Sequence, residues 1–445
     1  MMGGTLGWMG IFRLGLVQTS IGSIVVLVTA TLNRVMVVEL SMAAVIPGLL
    51  VGLHYGVQLL RPLWGHASDV GGRRTRWIVG GVALLGLGAA GASVAIAVMA
   101  HNAVLGLVLA FLDFVLIGVG VGAAGTSLLA LLASSVAPER RPAAATIVWL
   151  MMIAGMAVTA TVAGGLLEPF SFGRLIGVVT LTGAAAVALT VLALWGIEQS
   201  LARASQARPA RQPVSFRRSL ADAWADPKAR LFTIFVFVSM LAFSAQDLIL
   251  EPFAGLVFGW TPGETTRLAG VQHGGVFLGM VLTGVAGSLL SKRYPGALRV
   301  FTVGGCLASA LALCCLTLAA AQPEIWPLGV NVFALGFANG VFAVAAIGSM
   351  MALAGAAGPE RTGMRMGLWG AAQAIAFGLG GLLGTVLVDL SRWLTGEIAF
   401  SYGLVFLAEA LAFLAAAALA SRVAIMRRQT HSALVETVAH ATPAE

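Results

Sequence analysis

Gly65-His66-Ala67-Ser68-Asp69-Val70-Gly71-Gly72-Arg73-Arg74 is a short polar stretch between two long apolar runs. A basic loop between two hydrophobic helices has to lie in water, so it marks a turn at one membrane face. Gly71 and Gly72 permit a tight turn. Asp69 is placed to cap a helix or to pair with an arginine. Arg73 and Arg74 are suited to an anionic leaflet.

Outward from this loop, apolar runs of near twenty residues recur along all 445 residues. The chain is 59% hydrophobic and only 10% charged, with a mean hydropathy of +0.96. Soluble domains carry about 25% charged residues, so the class is a polytopic α-helical membrane protein. In lipid, the 56 glycines read as close helix packing rather than loose loops. The net charge of +8 reads as a set of topology signals, not as nucleic-acid binding. Cys306, Cys314 and Cys315 share one apolar run without metal or disulfide spacing, and read as packing or lipid-facing residues. Met1 to Arg13 lacks a basic n-region and a small-residue cleavage site, so the first apolar run is expected to be a retained helix.

Twelve spans are predicted, at 12–32, 43–64, 77–100, 104–134, 143–167, 174–197, 230–254, 267–290, 299–321, 328–357, 366–388 and 401–423. With the N-terminus inside, every one of the 26 Lys and Arg falls on the cytoplasmic side except Arg34, Arg174, Arg267 and Arg392. Both termini are then cytoplasmic. The expected organisation is a six-helix bundle over 1–197, a cytoplasmic linker rich in Arg, Gln, Pro and Ser over 198–229, a second bundle over 230–424, and a mobile polar tail over 425–445.

The halves repeat. Gly52-Leu53-His54-Tyr55-Gly56 matches Gly270-Val271-Gln272-His273-Gly274, and Gly118-x-x-x-Gly122 matches Gly336-x-x-x-Gly340, both 218 residues apart. Pro138-Glu139-Arg140 matches Pro359-Glu360-Arg361. Matches in order at a near-constant offset argue for duplication, with two bundles facing each other across a midplane cavity.

The opening loop, with Gly65, Asp69, Gly72, Arg73 and Arg74 at the marker positions, resembles the signature loop of the major facilitator superfamily. It departs in having Val70 where a basic residue is usual, and the second-half counterpart at Ser291-Lys292-Arg293 lacks the acid. Three further segments carry a narrower resemblance: Arg13-Leu14-Gly15-Leu16-Val17-Gln18, Thr31-Leu32-Asn33-Arg34-Val35-Met36-Val37-Val38-Glu39-Leu40, and Val70 to Thr75. With the Pro-Glu-Arg loops, they resemble the bacteriochlorophyll delivery family, the PucC-like branch of that superfamily. The short N-terminus is most similar to members encoded among bacteriochlorophyll synthesis genes. The resemblance implies the superfamily fold, a place in the inner, intracytoplasmic photosynthetic membrane, and a role in handing bacteriochlorophyll or a late precursor to antenna polypeptides. Pigment-synthesis enzymes are further partners it implies, and no covalent cofactor or bound metal ion is expected.

A pigment handler needs a lipid-accessible apolar groove and a ligand for the central magnesium. His54 and His273, in the repeated glycine-flanked segments, are expected to face the interface between halves. Each reads either as an axial ligand or as a hydrogen-bonded packing histidine. Gln58 is a further candidate one turn beyond His54. Trp149 and Trp369 read as macrocycle stacking partners or as interfacial anchors. Asn33, Arg34 and Glu39 are expected at the outer surface where the first span ends, with Glu251 as the second-half counterpart. Asp113 and Glu409 are acids inside spans and suspect for that reason. No basic–acid set of the kind that drives coupled transport is expected inside the bundle.

Three functions compete. The first is a non-enzymatic pigment carrier and assembly factor. The second is a proton-coupled transporter of a small amphipathic solute. The third is an enzyme that prenylates the pigment, or an accessory chain of pigment synthesis; for prenylation Asp222-Ala223-Trp224-Ala225-Asp226 offers one acidic pair at diphosphate-binding spacing, unaccompanied by a second.

Overall fold

The computed structural model describes residues 6–61, 64, 74–197, 224–294, 296–355 and 359–441. The loop 65–73 that opens the sequence reading, with Gly65, Asp69, Gly72 and Arg73, lies outside the described residues. So do most of the linker and Asp222.

Among the described residues, twelve α-helices follow one another: α1 Trp8–Val26, α2 Val45–Val57, α3 Arg74–Met99, α4 Ala103–Ser135, α5 Arg141–Leu166, α6 Phe172–Leu194, α7 Pro227–Phe258, α8 Pro262–Arg293, α9 Ala297–Ala321, α10 Leu328–Gly355, α11 Pro359–Thr395 and α12 Ile398–Ala441. Among the described residues, eleven helices are long and apolar enough to cross a membrane. The second, Val45–Leu60 with its last turn, is a shorter apolar helix. Local chemistry sets several starts. Asn102 caps α4 by accepting from the Leu105 N–H at 3.0 Å, and Ser171 caps α6 through Arg174 N–H at 3.2 Å. Thr261 and Glu264 form a capping box at α8, with Pro262 at its first turn.

Two ends depart from expectation. The first span does not stop at residue 32. It runs on through two π-helical stretches, Leu27–Leu32 and Val35–Glu39. The expected tail at 425–445 is instead helix up to Ala441, because Ala, Leu, Arg, Gln and Glu are strong helix formers.

Packing repeats between the halves. In the first, α1 packs on α5 and α6, α3 on α4 and α6, and α2 on α4. In the second, α7 packs on α11 and α12, α9 on α10 and α12, and α8 on α10. The repeat reaches single atoms. A Cβ on Gly118 would stand 2.8 Å from the His54 carbonyl oxygen, and a Cβ on Gly336 would collide with the Gln272 carbonyl oxygen. Both pairs obey the 218-residue offset, so α2–α4 and α8–α10 are one crossing used twice. Each half has its own apolar core.

The halves meet along two seams related by the same duplication, α5 against α8 and α2 against α11. One end of the body collects Arg13, Arg74, Arg140, Arg141, Arg230, Arg293 and Arg299. The turns at the opposite end include Glu168–Ser171 and Gly259–Thr261.

Candidate functional site

The polar end of α1 is buried, not exposed. Asn33 is fully buried and donates from Nδ2 to the Leu248 carbonyl of α7 at 2.7 Å. Arg34 is 2% exposed. Its Nη1 is ion-paired with Glu39 and its Nη2 donates to the Trp260 carbonyl at 2.8 Å, beyond the end of α7. Thr31 meets Thr266 of α8 hydroxyl to hydroxyl at 3.0 Å. The expected outer-surface placement of Asn33 and Arg34 is therefore corrected, and the cause is the π register. A π turn carries one more residue than an α turn, so Arg34 and Glu39, five apart, share a face, and the stretch swings towards α7.

Glu251 of α7 stands on the other side of this group. It is 2% exposed, and neither carboxyl oxygen has a hydrogen-bond partner. Arg34 is its charged neighbour. A buried basic–acid set therefore lies between the halves, contrary to the sequence expectation. Gly255, one turn further along α7, makes room for it. A Cβ there would lie 3.2 Å from Arg34 Nε.

Two more clasps close the opposite end. Asp389 of α11 accepts from the backbone N–H groups of Ala44 and Val45 at 3.1 and 2.7 Å. Glu168, after α5, accepts from the Thr261 hydroxyl.

Beside the α2–α11 seam lies an apolar groove of about 700 Å³, walled by α2, α4 and α11. It runs from Ile46 to Leu59, fourteen residues and about 20 Å along α2 and the turn that follows it. Leu49, Leu59, Phe111 and Ile375 line it and are exposed, so in a bilayer it opens to lipid. Gly56 forms part of its wall, and a Cβ there would meet nothing within 4 Å.

The two histidines differ. His54 does not face the other half. Its backbone carbonyl lies against Gly118 of α4 and its ring contacts are Tyr55 and Gln58 of its own segment, while Tyr55 reaches the interface with its ring 5.9 Å from Phe377 of α11. Arg61 donates to Gln58 Oε1, so the Gln58 amide N–H is left to donate to His54 Nε2 at 2.8 Å. The lone pair of His54 is thus spent, and Gln58 is its partner rather than a ligand. His273, at the position equivalent to Tyr55, is also buried. Its Nδ1 donates to the Ala269 carbonyl at 2.8 Å, which fixes the proton there and leaves the Nε2 lone pair unused. A Cβ on the adjacent Gly274 would meet nothing within 4 Å.

Trp369 is a core residue, 1% exposed, with its ring 4.8 Å from Phe232. With no ring face open, Trp369 neither stacks on a macrocycle nor anchors at the interface. Trp149 is half-buried against Ile153, Val276 and Met280 on the α5–α8 seam. Asp113 lies against Gly91 of α3, away from both seams. Glu409 is buried with both oxygens unpartnered, and its charged neighbour is Asp247 of α7. Sequence reasoning missed Asp247, although its four-residue spacing from Glu251 on one helix face was a readable signal. Arg74 does not reach for the leaflet alone. It donates to the Ala130 carbonyl at 3.0 Å and the Ser134 hydroxyl at 2.6 Å of α4.

Two six-helix halves joined by two symmetric seams and clasped at one end define a membrane carrier fold, that of the major facilitator superfamily. A solved bacterial homologue of the human lysosomal transporter Spinster, inward-facing and unoccupied, superposes with a TM-score of 0.68 at 16% identity, over 93% of this chain and 96% of that one. Within that fold the chain belongs to the PUCC protein family, whose profile matches residues 31–428. It is 53% identical over 423 residues to the bacteriochlorophyll synthase 44.5 kDa chain of Rhodobacter capsulatus, covering 95% of this chain and 97% of that one. Protein PucC of the same species is 32% identical over 434 residues, covering 92% and 91%.

Proposed function

We propose that the chain is a non-enzymatic carrier and assembly factor for bacteriochlorophyll or a late precursor. It works in the bacterial inner photosynthetic membrane with both termini in the cytoplasm. The observation that carries this reading is the groove beside α2–α11, apolar along its length and open to lipid. A hydrophobic cargo can move between bilayer and protein there without crossing water. The name of one relative, a bacteriochlorophyll synthase chain, supports bacteriochlorophyll or a precursor as the cargo.

The pigment's magnesium takes one axial nitrogen or oxygen ligand. His273 of α8, which does not line the groove, offers such a ligand elsewhere in the second half, because its Nδ1–H is anchored and its Nε2 lone pair is unused. The closed opposite end and the basic residues at the other end support an inward-facing state, with delivery to antenna polypeptides or exchange with synthesis enzymes at the cytoplasmic face.

The test is purification in mild detergent. Wild-type protein should carry a bacteriochlorophyll absorption band. Gly56→Phe, which fills the groove, should lose most of it at equal protein recovery. A wild-type protein free of pigment, from a strain that makes the pigment, would refute the reading.

A second reading, proton-coupled transport of an amphipathic solute, is favoured by the intramembrane acids Asp247, Glu251 and Glu409. Proton-dependent uptake of a non-pigment solute into proteoliposomes distinguishes it.

A further inference from the structure

Glu251 has no partner, yet it sits where a partner matters most. It lies between the halves, at the end that has to separate if the body opens to the other side. Both carboxyl oxygens lack hydrogen bonds, and so does Nε of Arg34 across the seam. The other two groups of the guanidinium are engaged, one with Glu39 of its own half and one with the Trp260 carbonyl of the other. Thr265 of α8 stands beside Glu251 but gives its hydroxyl proton to the Pro262 carbonyl at 3.1 Å. Arg34 is the charged group that favours a carboxylate here, with the Thr265 hydroxyl as a weaker neutral neighbour.

A buried carboxyl has two ways to exist in such a place. Neutral, it tolerates the gap. Ionised, it is costly unless a charge-assisted bond forms, and the free Nε–H of Arg34 is the available donor. That bond would run from α1 to α7, from one half to the other. The remaining titratable and charged groups nearby are Glu39 beyond the guanidinium on α1, Asp247 one turn earlier on α7, and Glu409 of α12 next to Asp247. All three are acids. They make Arg34 the single positive charge in the group.

We propose that Glu251 is a proton-binding site whose ionised form latches the two halves through Arg34 and whose protonated form releases them. Protonation removes the ionic attraction between Glu251 and Arg34 and leaves this part of the seam to the hydrogen bonds of Asn33 with Leu248, Arg34 with Trp260 and Thr31 with Thr266. The π-helical end of α1 supplies the give, since its wide turns can reset to α register as Arg34 withdraws. Opening of this end is therefore coupled to proton uptake. The coupling belongs to the scaffold and does not depend on what the cargo is.

The test is a distance measurement between spin labels on opposite halves. Val104 and Ile325, both exposed at the opposite end, are replaced by labelled cysteines in a protein with Cys306, Cys314 and Cys315 changed to alanine. In lipid nanodiscs, moving from alkaline to mildly acidic buffer should shift the wild-type distribution towards longer separations. Glu251→Gln should show the long population at every pH, with the acid response lost. Glu251→Asp keeps a carboxyl and should keep the response, which separates loss of the proton site from misfolding. A wild-type distribution insensitive to pH, or a Glu251→Gln response equal to wild type, overturns the proposal.

Discussion

Asp389 of α11 accepts from the Val45 N–H across the seam at 2.7 Å, and its second oxygen takes Ala44 N–H at 3.1 Å. The first residues of α2 have no side-chain cap of their own. The opposite half provides it, so the start of α2 is satisfied only when the halves are docked. Asp389→Ala should lower stability by about 1–2 kcal/mol, the usual cost of a lost cap. Asp389→Asn, which keeps one acceptor oxygen, should fall between. Thermal unfolding in detergent measures both, and an unchanged midpoint for the alanine variant would argue against the clasp.

Much of this architecture is legible from residues alone. Hydrophobic length locates the twelve helices, and the 218-residue spacing of Gly118 and Gly336 encodes the duplicated crossing. The errors have physical causes. Arg34 seemed exposed because helix ends are read with a 3.6-residue period, and a π turn breaks that period. His54 seemed to face the other half because residue type was matched instead of position. The 218-residue offset pairs His54 with Gln272 and Tyr55 with His273, and position decides which side chain meets the seam. Asp389 could not be read at all, because its partners are backbone N–H groups 345 residues away.

The glycine crossings yield a paired prediction. At Gly118 and Gly336 an added methyl meets a backbone carbonyl of the neighbouring helix, which cannot rotate away. Alanine at either site should destabilise by about 1–3 kcal/mol through overpacking. Gly125→Ala, where the methyl meets nothing within 4 Å, should be neutral or slightly stabilising because it removes a helix-interior glycine. Equal melting points for all three variants would mean that the crossings are looser than described.

Trp369 lends itself to a core test. Its indole fills the space between α11 and Phe232 of α7, and it is almost wholly buried. Trp369→Ala should cost about 3–5 kcal/mol, the range for emptying an aromatic site. Trp149→Ala, at a half-buried position, should cost less. A larger loss at Trp149 in the same melting assay would contradict the placement of Trp369 in the core.

The two histidines separate ligand binding from packing. His54 accepts from Gln58, which in turn accepts from Arg61, so its ring holds a chain of three side chains along α2. Removing it leaves the Gln58 amide without its acceptor, at a cost of about 1–3 kcal/mol. His54→Ala should therefore lower the melting point while any co-purified pigment keeps its absorption maximum. His273 has the opposite profile. Its only hydrogen bond is to its own helix, so His273→Ala removes little that holds the fold, but it removes the unused Nε2. If that nitrogen ligates the pigment, the variant should keep its stability and lose pigment or shift its absorption band. His273→Gln, which offers an amide oxygen, should recover part of the binding. Absorption spectra and melting curves recorded on the same preparations decide the matter. A His273→Ala protein with the wild-type spectrum would remove His273 from the site and leave the groove as the principal pigment contact.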